Sequence, residues 1–247
     1  LPLAEGWIAP KELDKYDIKL LIKSYVNCAL RALRAGFEVL EIHAAHGYLL
    51  HSFLSPISNR REDEFGGDIE GRSKLLIKIV KEIRNHIPEG VPLFCRISSI
   101  DGVDGGWSLK DSVYLSTLLA DAGIDVIDCS SGGIIGRPRF AVDDMGKELS
   151  KNSSRGYGFQ VPYSNEIKTK TTLKTMAVGV IVDPKQAEEI LVENKADIVA
   201  LGRELMYNPF WPLHAAQELK ADANFELWPK QYKWGISRRD ELFKFKR

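Results

Sequence analysis

Short apolar runs and amphipathic stretches alternate along the chain. Over residues 14–35 apolar side chains recur at helical spacing, at Leu20, Leu21, Tyr25, Ala29, Leu30 and Leu33, and Gly36 follows as a stop. The run Phe37, Val39, Leu40, Ile42 then predicts a buried strand. A second amphipathic helix is predicted over 72–86, carrying Leu75, Leu76, Ile79, Val80 and Ile83, with Pro88 ending it. Strands over 91–98 and 125–130 flank a helix over 109–122. The polar segment 134–160 holds Gly136, Pro138, Gly146, Gly156 and Gly158, and predicts a long loop. After it come a helix over 163–172, a strand over 176–181, a helix opened by Asp183-Pro184 and running to Asn194, and a last strand over 198–201. Residues 1–10 read as a loop or short extended piece, and 240–247 as a solvated, mainly basic tail.

Five strands alternating with helices argue for parallel βα units. Right-handed crossovers of such units build either a doubly wound sheet or a (β/α)₈ barrel, and the pattern alone leaves both open.

The first strand runs into Glu41-Ile42-His43-Ala44-Ala45-His46-Gly47-Tyr48, so a polar cluster falls where that strand gives way to a loop. In an α/β barrel this is the catalytic end. Two imidazoles and a phenol supply two hydrogen-bond donors for a substrate oxygen and an acid to deliver a proton, which is equipment for polarising a carbonyl. A pair of histidines is also compatible with a purely structural role or with a metal fragment. A zinc site needs three or four ligands, however, and no nearby cysteine or carboxylate completes one; His51 is too irregularly placed to do so.

Composition narrows the field. The 247 residues suffice for one large domain, with 34 basic and 34 acidic side chains giving zero formal charge, which disfavours a nucleic-acid partner. No apolar run approaches the roughly 20 residues of a membrane span, and no signal peptide opens the chain. Cys28, Cys95 and Cys129 are odd in number and irregularly spaced, which argues against a disulfide framework and for the cytoplasm. The chain begins at Leu1, which implies that the native start lies upstream.

The run from Gly36-Phe37 through Glu41 to Tyr48, Phe53-Leu54-Ser55-Pro56, Ser58-Asn59-Arg60-Arg61, Asp63-Glu64-Phe65-Gly66-Gly67 and Glu70-Gly71-Arg72 resembles the Old Yellow Enzyme family of FMN-dependent ene-reductases, in its bacterial thermophilic-like branch. Gly71 departs from the usual Asn of that pattern. The resemblance decides for the TIM (β/α)₈ barrel. It implies that residues 1–247 are the C-terminal part of a single FMN-binding domain, covering strands four to eight and roughly two thirds of the family's length.

By the resemblance, His43 and His46 bind the carbonyl oxygen of an α,β-unsaturated substrate, Tyr48 protonates its α-carbon, and Arg96 faces the flavin N1/C2 oxygen. Gly179, Gly202 and Arg203 would hold the FMN phosphate, Ser130-Ser131-Gly132 matches the family's Cys-Ser-Ser-Gly pattern, and NADPH or NADH is the electron donor. Read from the residues alone, Arg96 equally suits pairing with a neighbouring Asp, and the glycines equally suit ordinary tight turns. The stretch Trp228 to Trp234 resembles a tail that reaches across a dimer interface, so a homo-oligomer or a missing N-terminal segment is the implied partner, beside a small enone-type substrate; a cap on the barrel bottom is the rival for Trp234. The alternative to an enzyme is a non-catalytic barrel remnant acting by association. A dienoyl-reductase relative is disfavoured, because three scattered cysteines cannot bind an iron–sulfur cluster.

Overall fold

The computed structural model describes residue 6, residues 8–134 and residues 155–244. Most of the loop expected over 134–160, much of the first ten residues and the last three therefore lie outside the described residues.

Five strands, β1 (Leu40–Ala44), β2 (Leu93–Ser98), β3 (Val126–Ser130), β4 (Lys174–Val178) and β5 (Ile198–Ala200), form one sheet in the order β1-β2-β3-β4-β5. Every neighbouring pair is parallel. Sequential parallel strands need a crossover between each pair, and helices supply it. These are α1 (Lys15–Arg34) ahead of β1, α2 (Leu49–Leu54) and α3 (Ile69–His86) before β2, α4 (Leu109–Ala122) before β3, α5 (Val161–Lys170) before β4, and α6 (Pro184–Val192) before β5. After β5 come α7 (Arg203–Tyr207), α8 (Trp211–Glu218) and α9 (Lys230–Lys244).

The helix starts follow from side-chain oxygens that accept the orphan N–H groups of a first turn. Asp14 accepts from Tyr16 N and Asp17 N, each at 2.8 Å, while Asp17 answers by accepting from Asp14 N. Ser108 and Asp111 make the same reciprocal box at α4. Asp183 caps α6, with Pro184 in its first turn.

Alternation along the strands separates two faces. Ile42, Ala44, Leu93, Cys95, Ile97, Ile127 and Cys129 point toward the helices and join one buried cluster with Leu75, Leu76, Ile79, Leu115 and Leu119. On the opposite face one register row runs His43, Arg96, Asp128, Met176, Ile198. The row is polar at His43, Arg96 and Asp128 and apolar at Met176 and Ile198, and helices on one face with a side-chain-lined inner face on the other are the arrangement of an α/β barrel wall.

Several expectations need correction. Phe37 and Val39 are not part of β1: they precede it and are 64% and 47% exposed among the described residues. Leu20, expected on the packed face of α1, is exposed too. Helix α3 begins three residues early because Asp68 caps it through Gly71 N. Strand β4 ends at Val178 because Gly179 (φ 123°) and Val180 (φ 52°) leave extended geometry. The segment from 240, read as a solvated tail, is helical as far as Lys244, where it continues α9 with Leu242 and Phe243 exposed. Trp234 is 74% exposed, whereas Trp228 is buried, its ring 5.5 Å from Phe210 and 5.4 Å from His214.

Ile97 is 1% exposed in the middle of the helix-facing layer. Ile97→Ala is expected to cost about 2–5 kcal/mol in chemical denaturation; a loss below about 1 kcal/mol would mean that the helices do not close over this face.

Candidate active site

Three strand ends meet around His46. The residue lies just past β1 in left-handed backbone, φ 61°, followed by Gly47 at φ 76°. Its N–H donates to Ser98 Oγ at the end of β2 (2.9 Å), and Ser98 Oγ donates to Gly132 O beyond β3 (2.7 Å). Its ring Nε2 lies 2.6 Å from Ser130 Oγ. A Cβ on Gly47 would stand 2.2 Å from the Gly133 carbonyl oxygen, and one on Gly133 would stand 2.5 Å from His46 Cα, so the two loops touch backbone to backbone. This places the His43 ring 5.1 Å from that of His46 and 5.4 Å from that of Tyr48, centroid to centroid. Tyr48 stands at the N-cap of α2, its ring largely exposed. The three residues singled out for carbonyl chemistry thus form one cluster.

Arg96 sits beside His43 in the register row, on the same inner face. Its anionic neighbour is Asp128, 3.0 Å from Nη1 and with its side chain only 1% exposed. Among the described residues neither Asp128 oxygen has a hydrogen-bond partner of good geometry, and Arg96 Nε has none either. Burial outweighs the pull of Arg96 and pushes the Asp128 carboxyl up to about 7. Glu41, on the same face, is also raised by burial against the attraction of Arg96. The imidazoles shift the opposite way. Burial, with the charge of Arg96 added, brings His46 down to about 4, and the same two causes lower His43. Both rings are therefore neutral at pH 7, and a neutral imidazole keeps one N–H to donate.

The later strand ends lie on the same rim. Gly179 follows β4, and the side a Cβ would take faces Phe159 and Gln160. Gly202 and Arg203 follow β5; nothing comes within 4 Å of a Cβ built on Gly202, and Arg203 is exposed in the first turn of α7. Gln160 ties the two parts of the rim together: it accepts from Ser131 Oγ and donates through Nε2 to Val178 O at 2.7 Å. Sequence reasoning missed Ser98, Gln160, Gly133 and the role of His51; of these only Gly133, beside another glycine at a strand end, carried a local signal. A groove of about 710 Å³ between α1 and α3 contains none of these residues. Among the described residues no three His, Cys, Asp or Glu side chains converge as a metal set, and no helix is long and apolar enough to cross a membrane.

The fold and this rim define a parallel α/β-barrel protein with a His-His-Tyr cluster and an inward arginine at the C-terminal strand ends. The chain belongs to the NADH:flavin oxidoreductase / NADH oxidase family, whose model matches residues 3–222. It is 42% identical over 220 residues to an NADPH dehydrogenase of Geobacillus sp. (strain WCH70), across 89% of this chain and 60% of that protein. With an NADPH dehydrogenase of Listeria innocua it shares 39% over 234 residues, 94% of this chain and 63% of the relative. Among solved structures, the old yellow enzyme homologue from Zymomonas mobilis matches with a TM-score of 0.66 at 24% identity, covering 86% of this chain and 55% of that one. A 2-naphthoyl-CoA reductase complex matches at 0.76 and 22%, covering 88% and 32%. The fold is that of the Old Yellow Enzyme barrels, of which this chain holds five consecutive strands. It spans 60% of the length of the Geobacillus relative.

Because the folded carboxyl of Asp128 is raised, between its ordinary value near 4 and about 7 the folded state binds the proton that the unfolded state has lost, and stability falls as pH rises through that window. Asp128→Asn should therefore gain stability relative to the parent at pH 8 but little at pH 5, as read by denaturant melts. Equal effects at both pH values would mean that Arg96 keeps the carboxylate ionised.

Proposed function

We propose that the chain is the larger part of a single FMN-binding barrel domain that uses NADPH, or NADH, to reduce the activated C=C bond of α,β-unsaturated carbonyl compounds in the cytosol. The observation that carries this reading is the ring cluster of His43, His46 and Tyr48 beside an inward arginine. Two neutral imidazoles and a phenol within one ring-contact distance are what binding a carbonyl oxygen and protonating the neighbouring carbon require.

The residues present fit a flavin. Arg96 Nε is a buried donor without a partner among the described residues, suited to an acceptor at the pyrimidine edge. Gly179, Gly202 and Arg203 end neighbouring strands, where backbone N–H groups and a guanidinium would hold a phosphate. When bound, FMN supplies the hydride chemistry.

The chain's own groups do the rest. Where Ser130 gives its hydrogen to His46 Nε2, 2.6 Å away, and not to the more distant Gln160 Oε1 at 3.4 Å, the ring proton sits on Nδ1, available to the substrate oxygen. His43 adds the second donor, and the pair draws negative charge onto that oxygen. Tyr48, whose face is open, delivers its proton to the α-carbon. Arg96, partly offset by Asp128, holds positive charge on the inner wall. The NADPH dehydrogenase names of the relatives support the donor.

The test is the visible spectrum of the chain with FMN, followed by anaerobic NADPH and then cyclohexenone. Bound flavin that bleaches with NADPH and recolours with the enone is the expected result. His46→Ala should slow recolouring by about 10²–10³-fold, the usual loss for one oxyanion donor, and Tyr48→Phe by about 10²-fold or more. Recolouring at the parental rate in both variants would remove the carbonyl-binding role of this cluster.

A further inference from the structure

Directly beneath the cluster lies a fully buried histidine that the scheme above leaves without work. His51, on α2, and Asp101, after β2, each have side chains with 0% exposure, and His51 Nε2 lies 2.8 Å from Asp101 Oδ1. The other carboxylate oxygen accepts from Ser55 Oγ at 2.6 Å and from Trp107 N at 2.7 Å. Burial alone would raise this carboxyl; the hydrogen bonds from His51, Ser55 and Trp107 together bring it below the usual carboxylate value.

The second ring nitrogen of His51 faces Gly47, whose backbone N–H donates to Nδ1 at 2.8 Å. A backbone N–H can only donate, so Nδ1 must be unprotonated and the proton must sit on Nε2, facing Asp101. One tautomer alone satisfies both contacts, and Asp101 selects it. The group held is the backbone of the residue between His46 and Tyr48, at the centre of a turn with two consecutive positive φ angles.

We infer that His51, oriented by Asp101, is a positioning residue that fixes the His46-Gly47-Tyr48 turn for carbonyl binding. The inference rests on the carbonyl-reducing reading above. Ser98 and Ser130 hold His46 from the sides, and His51 holds the turn from below.

Three variants separate this role from mere packing. His51→Asn places an amide oxygen near the Nδ1 position and keeps an acceptor for Gly47. His51→Gln reaches Asp101 but offers Gly47 no acceptor at that position, and His51→Phe fills the volume with neither. In the chain itself, exchange of the Gly47 amide should accelerate by about tenfold or more in the Gln and Phe variants and stay near parental in Asn, the scale of one lost hydrogen bond. With FMN bound and reduced, reoxidation by cyclohexenone should slow by about tenfold or more in Gln and Phe and recover in Asn. Reoxidation by dioxygen, which needs no carbonyl site, should stay within about twofold throughout. If Phe fails to fold, the contrast between Gln and Asn decides.

Parental enone rates in Gln despite faster Gly47 exchange would overturn the inference, as would equal loss in Asn and Gln. A parental protein that cyclohexenone does not reoxidise would sink the ene-reductase reading itself and take this role with it.

Discussion

The rim depends on one backbone contact. Gly47 and Gly133 approach so closely that neither has room for a Cβ, and that approach brings the loop after β1 against the loop after β3. From it follow the reach of His46 to Ser130, the bond from His46 N to Ser98, and the packing of two imidazoles and a phenol on one patch. The parallel sheet makes the contact possible, since every strand delivers its C-terminal loop to the same end. Helical packing on the outer face fixes the sheet. The glycines then decide how its ends close.

A second constraint is electrostatic. Arg96, Glu41 and Asp128 share the inner face, yet burial favours the neutral form of both carboxyl groups while the guanidinium stays charged. The inner wall is therefore more positive than a count of its side chains suggests. That excess helps keep the neighbouring imidazoles neutral, because a protonated ring beside Arg96 would meet a like charge as well as a desolvation cost. Neutral donors and a fixed cation are a coherent setting for an oxygen that gains negative charge.

Much of this was legible in the amino-acid sequence where a local rule applied. Apolar periodicity located all five strands and α3, α4, α5 and α6 between them, though not the short α2, and the polar cluster after an apolar run marked the end of β1. A lone charge on β2 called for an acidic neighbour, and Asp128 on the next strand is that neighbour. What stayed hidden depends on distant partners or on edges. Phe37 and Val39 have the composition of a buried strand and lie exposed, because burial there depends on a neighbour and not on the residues themselves. Gly179 and Val180 stop β4 through their torsions, which an apolar run conceals. His51 looked irregular because its meaning lies in Asp101, fifty residues further on. Gln160, 29 residues beyond Ser131 in the chain, joins β3 to β4, and no local pattern announces such a link.

The Gly47–Gly133 contact also bears on how the site can change over generations. Most close contacts in a protein have a side chain on at least one side, so a bulky replacement can be rescued by trimming its neighbour. Here both sides are main chain, and there is nothing to trim. Neither position admits a compensating partner, and change at this rim must come from the side chains that line it while these two glycines stand still.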